Sequence, residues 1–197
     1  MNIALCHFRV GETDGVSLEM EKWKLIFEKM GHNVYYLAGS QGNNKSYIIP
    51  EMHYKEQENL KFIENAYVKL TDYPSDKELK EAILEYAGRA EKHLEEFVEK
   101  YNINVFIPNN IWSRGWNIPV AIAFDRIIKK HGIKCIGHHH DFYWERDKFE
   151  KAVSPFVAEC LDKNFPPKDN LIEHVVINKI ARDELKKRKG LDAKIVP

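Results

Sequence analysis

The chain has 197 residues, enough for one ordinary or slightly large domain, and 44% of them are apolar, which suffices for a buried core. Lys and Arg together number 30 and so do Asp and Glu, so composition gives no net positive field to gather a polyanion and argues against a nucleic-acid-binding class. Lys and Glu are abundant while Gln occurs only at Gln41 and Gln57, a usage seen in proteins of thermophiles.

The chain opens on the strand-like Asn2-Ile3-Ala4-Leu5, without a charged leader and a long apolar run, so neither a signal peptide nor a transmembrane segment is expected. Ile3 to Phe8 reads as a strand and Arg9 to Gly15 as a polar loop. Val16, Met20, Trp23, Ile26, Phe27 and Met30 then recur at helical spacing, closed by Gly31. Val34 to Leu37 is a second strand, followed by a turn-rich loop from Ala38 to Asn44. Residues 47–73 give no clear period. Ser75-Asp76-Lys77-Glu78 has the pattern of a helix N-terminal box, and Leu79, Ile83, Tyr86, Ala90, Leu94, Phe97 and Tyr101 mark one face of a long helix.

Beyond it, Val105 to Pro108 is a strand, Ile118 to Lys130 a helix, Ile133 to Ile136 a strand and Ser154 to Lys163 a helix. His174 to Ile177, Lys179 to Lys189 and Lys194 to Val196 complete the alternation as strand, helix and short strand. Strands that alternate with helices predict an α/β fold, a doubly wound, Rossmann-like parallel sheet covered on both faces. Cys6 and Cys135 fall inside predicted strands. With Cys160 they make an odd, widely spaced set, which fits buried thiols in a reducing, cytoplasmic setting.

Three loops carry chemistry, and in an open α/β sheet they fall on the rim where ligands bind. The densest is His138-His139-His140-Asp141-Phe142-Tyr143-Trp144-Glu145-Arg146, after the strand at 133–136. Side chains alternate along an extended chain, so only His138 and His140 can share a face, and no metal-ligand spacing supports them as a metal site. One or more of the imidazoles simply ends a strand and bonds to backbone; in the functional reading His140 faces the cleft beside Asp141.

The second loop, Asn109 to Asn117, offers amides for hydroxyl recognition, Arg114 for an anionic group, and Trp112 and Trp116 for stacking on a sugar face. Its plainer reading has Asn117 capping the next helix and both tryptophans packed on the sheet. The third, Arg9 to Gly15, matches neither the dinucleotide nor the P-loop fingerprint. Gly11 and Gly15 precede a helix N-terminus where a phosphate could sit; the alternative has them as turn glycines, with Asp14 or Ser17 capping the helix.

Taken in order, the Gly11–Gly15 loop, Gly31-His32-Asn33-Val34, His140-Asp141 after a middle strand and the terminal Ile195-Val196-Pro197 resemble the N-terminal domain of family 4, GT-B fold glycosyltransferases, over essentially the whole chain. The resemblance implies a single GT-B half at 1–197, on the acceptor side of a retaining enzyme whose donor-binding C-terminal domain lies outside these residues or on a separate chain. It implies that His140 and Asp141 lie at the reaction centre and that Gly11, Thr13 and Gly15 lie beside the donor phosphates. Asn109, Asn110 and Arg114, with Glu145 and Arg146, then face the acceptor. A nucleotide sugar and a sugar or polyol acceptor are the implied ligands, with no cofactor besides the donor and no metal. On this reading the chain by itself does not complete transfer. The competing readings are a non-catalytic carbohydrate-binding or partner-docking module and a metal-dependent hydrolase using the histidines.

Overall fold

A computed structural model describes residues 1–197. Seven strands form one wholly parallel sheet, β1 (Asn2–Val10), β2 (Asn33–Gln41), β3 (Tyr47–Ile48), β4 (Val105–Pro108), β5 (Lys134–His139), β6 (Ile172–Val176) and β7 (Ala193–Ile195). Their order across the sheet is β3-β2-β1-β4-β5-β6-β7, so the chain winds outward in both directions from the junction of β1 and β4. A crevice opens at such a junction because the loops on either side leave in opposite directions.

The helices are α1 (Gly15–Lys29), α2 (Gln57–Tyr67), α3 (Asp76–Tyr101), α4 (Ile118–His131), a single turn α5 (Asp147–Glu150), α6 (Pro155–Asn164) and α7 (Lys179–Lys189). Alternation along β1 divides the core. Ala4, Cys6 and Phe8 join a cluster of 35 buried residues that includes the apolar faces of α2, α3, α4 and α6, whereas Ile3 and Leu5 meet Met20 of α1 on the other side. The long helix begins where expected. Ser75 accepts the Lys77 N–H at 3.1 Å and its hydroxyl donates to the Glu78 carboxylate.

Two strands run further than the sequence suggests. β1 continues through Arg9 to Val10 and β2 through Ala38-Gly39-Ser40 to Gln41, because each polar residue there is paired across the sheet, Arg9 with Ser40 and Val10 with Gln41. Gly39 is required for packing. A Cβ built on it would lie 2.1 Å from the backbone nitrogen of His53, where the tight turn Pro50–Met52 crosses the strand. Gly39→Ala should therefore cost about 2 kcal/mol as an overpacked site, read as a lowered urea midpoint with unchanged m-value; wild-type stability would show that the turn yields freely.

The stretch at 47–73, which has no readable period, forms β3, that turn and α2. Its main task is to hold the 109–117 loop from beneath: Tyr67 donates to the Gly115 carbonyl at 2.8 Å, Asn59 to that of Trp116 at 3.0 Å, and Asn117 to that of Glu51 at 2.8 Å.

Candidate active site at the β1–β4 rim

The segments leaving β1, β4 and β5 emerge side by side on one rim. Backbone bonds continue past the strand ends, with Asn109 N–H donating to the Cys6 carbonyl at 2.8 Å and Asn110 N–H to that of His138 at 2.9 Å. β5 itself runs to His139, three residues beyond the predicted end, and places the three histidines by strict alternation.

His139 points to the large core. Its Nε2 lies 3.0 Å from Nδ1 of His174, whose own Nε2 is 3.0 Å from the Pro167 carbonyl. A carbonyl only accepts, so His174 carries its proton on Nε2 and its bare Nδ1 accepts from Nε2–H of His139. This histidine is the strand-ending, hydrogen-bonded one. His138 and His140 share the opposite face with ring centroids 4.2 Å apart, and His138 is buried in a stack on Trp23 of α1 at 4.8 Å. Burial, reinforced by the neighbouring imidazole, pushes the pKa of His138 down to about 3.

His140 is the partly exposed member, and its orientation is fixed by Asn109. The Asn109 amide nitrogen faces the carbonyls of Ile107 and Cys6, at 3.2 and 3.4 Å, so Oδ1 is the atom turned to Nε2 of His140, 3.1 Å away. His140 therefore carries its proton on Nε2, which leaves the Nδ1 lone pair as the acceptor for a ligand hydroxyl. Burial lowers its pKa against the opposing pull of Asp141, Glu19 and Asp14, so the neutral form prevails at pH 7.

Asn110, in the left-handed region at φ 58°, ties the two loops together. Its Oδ1 accepts from the His140 N–H at 2.8 Å and the Ser113 hydroxyl at 3.1 Å, while Nδ2 donates to Asp141 at 3.2 Å. Asn109 and Asn110 are each 1% exposed, so their polar atoms shape the rim from within.

Asp141 also takes Arg146 at 2.6 Å, and Arg114 Nε lies 3.5 Å from its other oxygen. The Arg114 guanidinium lies 3.7 Å from the centroid of the Trp116 ring. Of the two tryptophans offered for stacking, Trp112 is fully buried and donates to the Ala121 carbonyl at 3.0 Å; it belongs to the core, and Asn117 caps α4 through Val120 N–H at 3.1 Å. Glu145 is exposed beside this group, with a pKa raised mainly by partial burial.

At the β1 loop, Asp14 caps α1. One oxygen takes the N–H groups of Val16 and Ser17 at 3.1 and 3.2 Å and the other takes the Ser17 hydroxyl at 2.8 Å. Thr13 and Gly15 are exposed next to it, and a Cβ on Gly15 would meet nothing, whereas Gly11 lies at φ 76° with its Cβ position 2.7 Å from the Asn44 backbone nitrogen. Gly11 is thus needed for the contact between the β1 and β2 loops, and only Thr13 and Gly15 face outward.

The strand-like reading of β1 passed over His7 and Arg9. His7 is buried and its Nδ1 donates to the Asn109 carbonyl at 2.8 Å; burial brings its pKa down to about 4. Arg9 pairs with Glu12 at 3.2 Å and Asp14 at 3.5 Å. The available signal was polar residues at the C-terminal end of an otherwise apolar strand, where a parallel sheet places its ligand-facing groups. All three cysteines are buried and unpaired, and no helix is long and apolar enough to cross a membrane.

No protein-family model matches the chain. Over all 197 residues it is 41% identical to a mannosylglucosylglycerate synthase of Petrotoga mobilis and 38% identical to one of Thermotoga maritima. The chain is homologous to part of a glycosyltransferase. It spans 44% of the length of each of these relatives. The fold agrees with this glycosyltransferase part: all of the chain superposes on 47% of a sucrose-phosphate synthase from Thermosynechococcus elongatus, with a TM-score of 0.53 at 12% identity, which places the sheet as one Rossmann-like half of the GT-B architecture.

Proposed function

We propose that residues 1–197 are the N-terminal, acceptor-side half of a retaining, nucleotide-sugar-dependent glycosyltransferase that joins a mannosyl unit to a glucosylglycerate acceptor. The observation that carries this reading is the identity along the entire chain to two synthases of that product, combined with a polar rim at the β1–β4 junction. In this reading Nδ1 of His140 accepts a hydroxyl of the donor sugar and Asp141 orients the adjoining guanidinium groups. The exposed edge at Thr13 and Gly15, with Gly11 fixing the loop, borders the donor phosphates. Asn109 and Asn110 shape the acceptor side from within, and Arg114, Glu145 and Arg146 face it. Buried, unpaired thiols fit a cytoplasmic enzyme.

Transfer requires donor and acceptor to be fixed together and a leaving diphosphate to be stabilised. The first helix N-terminus cannot supply that stabilisation unaided, since Asp14 already occupies two of its N–H groups. A donor-binding domain is therefore part of the proposal.

The test joins residues 1–197 to the remainder of the Petrotoga mobilis relative. GDP-mannose and other nucleotide sugars are then assayed for transfer to glucosylglycerate, beside the 197-residue chain alone. Mannosyl transfer by the joined protein, with weak or undetectable nucleotide-sugar binding by the chain alone, is the expected result. Sugar binding without transfer by a well-folded joined protein would favour a carbohydrate-binding module, and tight donor binding by the 197 residues alone would contradict the division of labour.

A further inference from the structure

Asp141 is the one carboxylate in direct contact with Arg114 and Arg146; Glu145 acts on Arg146 only through space, without an ion pair. Two guanidinium groups, Arg114 and Arg146, converge on a single carboxylate, which also accepts from Asn110. Arg9, on the neighbouring strand end, is a third cation, and its partners are Glu12 and Asp14. Arg114 is the less satisfied of the pair. Its side chain is 18% exposed, its Nε is buried without a hydrogen-bond partner, and burial lowers its pKa against the pull of Asp141. That Nε faces Asp141 and is closed off, so a ligand meets the two terminal nitrogens of Arg114, which make no hydrogen bond within the protein.

Arg146 is placed to take part. Its side chain is 51% exposed while one nitrogen is anchored at 2.6 Å on Asp141, so the rest of the guanidinium is open to solvent. The centroid of the Trp116 ring lies 3.7 Å from the Arg114 guanidinium carbon, and the ring limits its hydration on that side. Planar cations in this arrangement suit a carboxylate, which accepts two parallel N–H groups.

We infer that Arg114 and Arg146 form the subsite for the carboxylate of an acidic acceptor, so that the acceptor's charge, and not only its sugar hydroxyls, selects it. This rests on the glycosyltransferase reading above and adds to it a residue-level basis for specificity. Asp141 keeps the two cations together, and the acceptor carboxylate takes the guanidinium N–H groups that Asp141 leaves free. A diphosphate of the donor has similar chemistry; the pair belongs to the β4 and β5 loops, whereas the edge proposed for the donor phosphates belongs to the β1 loop.

Calorimetry on the 197-residue chain separates these sources with three probes: glucosylglycerate, its neutral counterpart glucosylglycerol, and GDP. The expected result is glucosylglycerate binding at least tenfold tighter than glucosylglycerol. That preference should be abolished by Arg146→Gln, whose side chain is exposed and whose fold is verified by an unchanged urea midpoint, and by Arg114→Gln. Equal, measurable affinity for the two glycosides would overturn the carboxylate subsite and leave the acceptor-side reading standing. Absence of binding to either glycoside would remove both. A loss of GDP affinity in the two variants, with the glycoside preference intact, would reassign the pair to the donor and overturn the inference.

Discussion

Lowering the pH from 7 to 5 should destabilise the folded chain by about 4 kcal/mol through His7 and His138 alone. Both are neutral and buried in the fold, with pKa values brought down from the usual 6.5 to about 4 and about 3, mainly by loss of solvent. In the unfolded chain they titrate near 6.5, so below that pH the unfolded state binds more protons and stability falls as the solution is acidified. The contribution is fully present above pH 6.5 and is lost progressively down to the folded-state values, at about 1.4 kcal/mol per pH unit for each group. His139, His140 and His174 are shifted in the same direction, also chiefly by burial, and add to the slope.

Urea unfolding followed at pH 7, 6 and 5 measures this directly. His138→Phe keeps the stack on Trp23 and removes a group whose Nε2 has no partner, so it should shrink the difference between pH 7 and pH 5 by about 2 kcal/mol. A slope unchanged by that substitution would mean that His138 is already protonated in the fold.

In an enzyme extended by a donor-binding half, His140→Ala should lower kcat/KM by about 10- to 100-fold, the value of one hydrogen bond lost to a substrate hydroxyl. Folding stability should fall only by about 1 kcal/mol, because the substitution strips one partner from the buried Oδ1 of Asn109. Asn109→Ala separates position from presence. It leaves the imidazole in place but removes the acceptor that fixes the proton on Nε2, so turnover should drop while the pH dependence of kcat/KM moves, a change that mere loosening of the loop would not give. Activity within twofold of the parent for His140→Ala would take that residue out of the reaction centre.

The helices with a strong period were legible from the sequence because burial of one face at 3.6-residue spacing leaves its mark on composition. The long helix from Asp76 to Tyr101 and its Ser75 cap are examples. Strand ends were less legible. Ser40, Gln41, His138 and His139 are polar or ionisable residues inside strands, and their polarity reads as loop until the pairing across the sheet is known. The 47–73 stretch was opaque for a related reason: the buried face of its short helix α2 mixes Phe62 and Ala66 with Asn59 and Asn65, polar residues whose hydrogen bonds justify their burial only once the fold is known.

By itself the sequence determined the α/β alternation, the doubly wound sheet and the grouping of polar loops at the strand ends, since these follow from local periodicity and from the chirality of parallel connections. It also determined that His138 and His140, and not His139, lie on one face, because that depends only on the twofold repeat of a strand. Only the tertiary structure decided which polar groups are consumed inside the protein and which remain for a ligand. Asn109 and Asn110 turn inward, Asp14 caps the helix end that the sequence left open to either a cap or a phosphate, and Arg114 and Arg146 are left sharing one carboxylate. Hydrogen-bond saturation and charge balance are sums over residues far apart in the chain, so they are fixed when β1, β4 and β5 come together and not before.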